Sequence, residues 1–217
     1  MLPIRTSHSF ARHLARPARV AAAAVTAAAL AACGGRDPFA PNPDNNVDTV
    51  EQQFVVYPLA TASGPRPSAV DLAGFTVLRP GVTTIAVNGA SIPTPNFDFA
   101  VDRDGAGVRF LPSRLVVDPG VVGRRPSTGF LLSTTPFDSI AEAPTAGYRS
   151  DSVATTAAVG QAVIVRTESL LCVRNGFSNQ LYAKFVVEAI DAATGAVILR
   201  GRVNPNCGYR SLRPGRG

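Results

Sequence analysis

Three kinds of side chain in this sequence have the spacing to do chemistry: a run of aspartates, a cluster of arginines and three thiols. Asp98, Asp102 and Asp104 alternate toward Gly105, a fragment of the pattern by which carboxylate oxygens surround calcium. The further acidic ligands of such a loop are missing, and Asp104-Gly105 is equally a turn dipeptide, so no metal site is expected. The same acids make a poor catalytic cluster, because strand alternation leaves Asp98 within a sheet and Asp104 at an exposed tip. Near the end of the chain Arg200, Arg202, Arg210, Arg213 and Arg216 gather around Tyr209. Forked guanidinium groups at that density suit an anionic partner such as a lipid phosphate or an acidic protein surface. The competing reading is a solvated strand face followed by a frayed tail.

The inventory of other catalytic side chains is short. His8 and His13 are the only histidines, Lys184 is the only lysine, and tryptophan is absent. Both histidines precede Cys33 in a segment laid out as a secretory signal peptide. Arg5, Arg12, Arg16 and Arg19 form its positive region, residues 20–32 its alanine-rich apolar region, and small residues occupy the cleavage position. The apolar run is too short for a membrane span, which needs about 18–20 residues. Cleavage before Cys33 removes every imidazole, and with it Ser-His-Asp and Cys-His nucleophiles, histidine-ligated zinc and bis-histidine haem. Carboxylates, hydroxyls, tyrosines and one lysine remain. No cofactor is expected. The formal charge of +6 also falls, because 21 basic residues become 17 against 15 acids, too small and too dispersed an excess to mark a nucleic-acid partner.

Leu30-Ala31-Ala32-Cys33 resembles the lipobox of bacterial lipoproteins. The resemblance implies that the Cys33 thiol is diacylated, that the chain is cut just before it, and that the new amino terminus receives a third acyl chain. Two or three chains give the stable attachment that one does not, so the membrane is expected as a partner through lipid at Cys33. Gly34 stands where an aspartate retains such proteins at the inner membrane, which implies the outer membrane. With Cys33 assigned to lipid, Cys172 and Cys207 form an even pair in an oxidising compartment, and a disulfide is expected.

The elements that must position these groups are strands. Residues 1–32 are expected to be the signal peptide, 33–48 the acylated cysteine and a Pro/Asn/Asp-rich tether, 49–214 a single domain and 215–217 a tail. Short runs rich in Val, Phe and Ile, separated by turn signals, predict an all-β antiparallel sandwich. Strands are expected over 53–59, 74–78, 83–87, 97–101, 107–111, 114–117, 129–133, 162–171, 181–190 and 196–203, with a short helix among the alanines of 152–158. A two-residue turn at Asp104-Gly105 sets Val101 opposite Val108 and Phe99 opposite Phe110. Leu181, Ala183, Phe185, Val187 and Ala189 alternate as a half-buried strand. Its hairpin partner adds Val197, Leu199 and Val203, with Arg200 diagonal to Glu188. The last three strands, running up, down and up, bring Cys172 and Cys207 to one end of the sheet.

Between Gly160 and Arg202, Val165-Arg166-Thr167 and Tyr182-Ala183-Lys184-Phe185-Val186-Val187 are similar to the strand pattern of haem-binding lipoproteins of the HmuY type. That similarity implies a β-rich fold. It does not carry haem over, because the histidine pair of that family has no counterpart here. The function expected is a non-catalytic, outer-membrane-anchored module that binds or scaffolds an envelope protein, glycan or small ligand. A small-ligand carrier with an apolar pocket and a carboxylate-dependent glycan hydrolase are the alternatives.

Overall fold

The computed structural model describes residues 49–215 apart from 63, 88, 119, 121–125, 170–171 and 173–177. The lipobox, the tether, Arg124, Arg125 and Arg216 lie outside the described residues. The domain is an antiparallel β-sandwich. One sheet has the order β1-β12-β11-β10-β8, formed by β1 (Val50–Val56), β8 (Thr128–Ser133), β10 (Ala162–Glu168), β11 (Gln180–Ile190) and β12 (Val197–Asn204). The other has the order β3-β2-β6-β7-β9, from β2 (Ala69–Asp71), β3 (Thr76–Leu78), β6 (Phe99–Asp104), β7 (Gly107–Pro112) and β9 (Thr155–Ala157). A separate ribbon pairs β4 (Val82–Val87) with β5 (Ala90–Pro95).

Alternation along these strands drives a phenylalanine-rich interior. Phe54, Val163, Phe185 and Leu199 from one sheet meet Val70, Phe99, Val101 and Phe110 from the other. The ring of Phe99 stands edge-on to Phe130 at 5.6 Å and to Phe185 at 5.3 Å between centroids. Edge-to-face pairs of this kind add about 0.5–1.5 kcal/mol beyond the area they bury. Phe185 also lies across Gly201, its partner on β12, and a Cβ there would overlap the ring.

Strand β11 is buried on both faces rather than half-buried. Its inward residues Ala183, Phe185 and Val187 enter the main core, and its outward Tyr182 and Val186 pack beneath Phe137, Ile140, Ala143 and Leu212. The segment after β8 and the chain end therefore roof the outer face of this sheet. A bulge between Val187 and Ala189 shifts the alternation, so that Ile190, not Ala189, packs against the core.

Several elements differ from the sequence expectation. The residues after β7 form a single helical turn, α1 (Ser113–Val116), in place of a strand, and the alanines near residue 155 form the edge strand β9 in place of a helix. Strand β5 was hidden by its prolines. In the β6–β7 hairpin Val101 faces Phe110 and Phe99 faces Pro112, a slip of two residues. An even slip keeps every side chain on its face, so the apolar face is as expected.

Cys172 and Cys207 are joined, with Cα atoms 5.3 Å apart, at the end of the β10-β11-β12 meander where the expected strand directions place them.

Candidate functional site

The arginine cluster is built on β12, whose alternation points Arg200 and Arg202 to the outer face of the sheet. Neighbouring strands and the 3-10 turn Phe137–Ser139 supply the carboxylates. The Arg200 guanidinium donates to both Asp138 oxygens at 2.8 and 3.1 Å. Its Nε lies 2.9 Å from Glu188, as the hairpin register implies, and Nη1 lies 3.4 Å from Glu51. Asp138 in particular raises the Arg200 pKa above its ordinary value. Arg202, almost wholly buried, pairs with Glu51 and donates to the Leu212 carbonyl at 3.3 Å.

At the centre sits Lys184. Its ammonium donates to the carbonyls of Phe137 at 2.7 Å and Ile140 at 2.8 Å and stands 4.5 Å from the Phe137 ring centroid, with Arg200 at 4.3 Å from the same centroid. Burial, reinforced by Arg202, pushes its pKa down to about 8. A lysine with that shift has the basicity of a nucleophile or Schiff-base former, but at 0% exposure it meets only its own chain. It holds the roofing segment to the sheet.

The cluster therefore balances three cations, Arg200, Arg202 and Lys184, against Glu51, Asp138 and Glu188. Arg210 pairs with Glu142 and donates to the Ala143 carbonyl. The guanidinium groups of Arg200, Arg202 and Arg210, which the sequence offers to an anionic partner, meet carboxylates and carbonyls of their own chain that fasten the chain end and the roof to the sheet. Of the four predicted contacts, Arg213 alone keeps an exposed side chain.

The aspartates separate, but Asp98 lies in the bend before β6 and not within the sheet. Asp104, at the hairpin tip, accepts from Thr156 at 3.0 Å and pairs with Arg109 at 3.3 Å, while Asp102 accepts from the Ala60 amide at 3.3 Å. Asp98 is enclosed. One of its oxygens accepts from the Leu72 amide at 2.7 Å and the other from the Thr167 hydroxyl at 2.7 Å, and Thr167 in turn lies 2.8 Å from the Thr128 hydroxyl. Burial raises the Asp98 pKa to about 6 against the pull of these donors, and the charge of Asp71 adds to the rise. Asp71 is itself raised by burial while its carboxylate receives the Ala73 and Gly74 amides.

Asp71, Asp98 and Glu168 line a concavity of about 170 Å³ whose far wall is the β4–β5 ribbon, through Thr83, Ile85 and Thr94. The sequence pointed to Asp98 but not to its neighbours. Asp71 and Glu168 arrive from the ends of β2 and β10, in different sheets, and no local spacing links the three. A second groove of about 340 Å³ runs between β8 and the roof, lined by Leu131, Ser133, Thr135, Ile140, Glu142 and Pro144.

Among the described residues no group of three or more His, Cys, Asp or Glu is placed to hold a metal ion, and no helix is long and apolar enough to cross a membrane. Comparison with protein-family models, curated proteins and solved structures finds no match.

Proposed function

We propose that this chain is a lipid-anchored protein of the bacterial envelope, held at the outer membrane through acylated Cys33, whose β-sandwich binds or scaffolds without catalysis. The observation that carries the reading is the joined Cys172–Cys207 pair. It accounts for two of the three cysteines and leaves Cys33, in the lipobox-like Leu30-Ala31-Ala32-Cys33, as the thiol available to lipid. A persistent disulfide also suits the oxidising compartment to which a lipoprotein signal would deliver the domain.

The hydrolase alternative asks for a carboxyl oxygen free to reach a substrate, and both oxygens of Asp98 are bonded within the fold. The space between the sheets is taken by interlocking phenylalanine rings, which favours scaffolding over the carrier alternative. Partners of the proposed function are an envelope protein, glycan or small ligand, with no nucleic acid and no cofactor. The test is Cys33→Ala in a diderm host fed labelled palmitate. Loss of label and release of the domain from the membrane fraction are expected. Unchanged labelling and partitioning would overturn the anchor.

A further inference from the structure

Among the described residues the β4–β5 ribbon joins neither five-stranded sheet, and its two edges are unlike. Proline has no N–H to give a ladder, so Pro93 and Pro95 of β5 turn their backbone away from β4. Their register partners are Thr84 and Val82, which by the antiparallel pattern turn theirs away from β5. Val82, Thr84 and Ala86 therefore present N–H and C=O groups along the outer edge of β4. The outer edge of β5 is blunted by its two prolines. Natural edge strands are guarded by charge, proline or bulges, and β4 has none of these. No charged residue occurs from Gly81 to Phe97, and Val82, Thr83, Thr84 and Ala86 are exposed.

We propose that the outer edge of β4 pairs with the same edge of a second copy of this chain. The absence of charge argues for a second copy, since identical strands brought together oppose like with like and any charge on β4 would repel itself. An antiparallel pair related by a two-fold axis perpendicular to the ribbon must match residues of the same face. With the outward groups on Val82, Thr84 and Ala86, the register sets Thr84 against Thr84 and Val82 against Ala86, forming a four-stranded ribbon in the order β5-β4-β4-β5. Because the outer edges of that ribbon are the prolines of β5, the assembly closes as a dimer and does not extend into a fibre.

Hydrogen-bonded antiparallel partners have Cα atoms about 5.5 Å apart, within the roughly 4.4–6.8 Å range of a disulfide. The test is oxidative cross-linking of the full chain in the host envelope, read on non-reducing gels against the unsubstituted chain, which reports any cross-link through Cys33. Thr84→Cys is expected to give a dimer several-fold above both the unsubstituted chain and Ser91→Cys, a control on the β5 edge. Ala86→Pro added to Thr84→Cys removes an outward N–H without touching the β4–β5 ladder, and is expected to return the yield to the control level. Equal yields for Thr84→Cys and Ser91→Cys would overturn the proposal, as would a dimer indifferent to Ala86→Pro. A mixed disulfide with another polypeptide in place of the dimer would reassign the edge to a peptide partner and overturn the second-copy assignment.

Discussion

Asp98 shows how one buried carboxyl can make the whole domain sensitive to pH. Its carboxyl bridges the turn after β2 to β10, joining the two sheets. A folded pKa near 6 against an ordinary 3.8 means that the folded state holds a proton the unfolded state has lost. Its contribution to stability is thus full below about pH 4 and fades as pH rises through 6. Two pKa units correspond to about 3 kcal/mol. Asparagine keeps the shape, accepting from Leu72 and donating to Thr167 while that hydroxyl turns to Thr128, but it does not titrate. Urea unfolding of both forms is therefore expected to show the wild-type advantage over Asp98→Asn shrinking by roughly 2–2.5 kcal/mol from pH 4 to pH 7. Lys184 makes the opposite kind of bond, a cation that exists to satisfy two carbonyls. Lys184→Met leaves the Phe137 and Ile140 carbonyls without donors and is expected to lower unfolding free energy by roughly 2–4 kcal/mol, measured the same way. Residue-level reading of the sequence had clear limits. It separated Asp98 from Asp104 at the tip, because alternation is local, but set Asp98 inside a strand when it lies in the bend just before β6. It offered Arg200, Arg202 and Arg210 to an outside anion because their carboxylates come from distant parts of the chain, Glu51, Asp138 and Glu142.

Among elements, the β10-β11-β12 meander was the most legible, because long apolar alternation and a Gly-closed turn specify it locally. The pairing of Arg200 with Glu188 and the convergence of Cys172 with Cys207 followed from strand direction alone. What local pattern did not carry was the roof. Nothing in the alternation of β11 tells whether its second face meets water or another segment, and Phe137, Ile140 and Leu212 cover it from elsewhere in the sequence. The β6–β7 register shifts by two residues because the two-residue turn is Gly105-Ala106, with Gly105 at positive φ, one position later than Asp104-Gly105 suggests. The meander also supplies two tests. Closing the Cys172–Cys207 loop, with a sequence separation of 35, stabilises by about 4 kcal/mol in the chain-entropy model, so Cys172→Ser is expected to lower the melting temperature, and an equal melting temperature with and without reductant would exclude that role. Gly201→Ala drives a methyl group into the Phe185 ring and is expected to cost about 1–3 kcal/mol, with a partial return when Phe185→Leu is added.

At the scale of the molecule, one sheet of the sandwich pairs its outer charges with one another. Carboxylates and guanidinium groups on the outer face of that sheet neutralise each other and bind the roof, while the β4–β5 ribbon carries no charge. The phenylalanine core and the disulfide at one end of the meander suit the proposed scaffolding role. The proposed anchor at Cys33 would hold it at the membrane. The most direct measurement of that account is mass spectrometry of the amino-terminal peptide of the full chain recovered from the membrane of a diderm host. The account predicts a chain beginning at Cys33 that carries two or three acyl groups. A chain that retains Arg5 to Ala32, or one that begins at an unmodified Cys33, would contradict it.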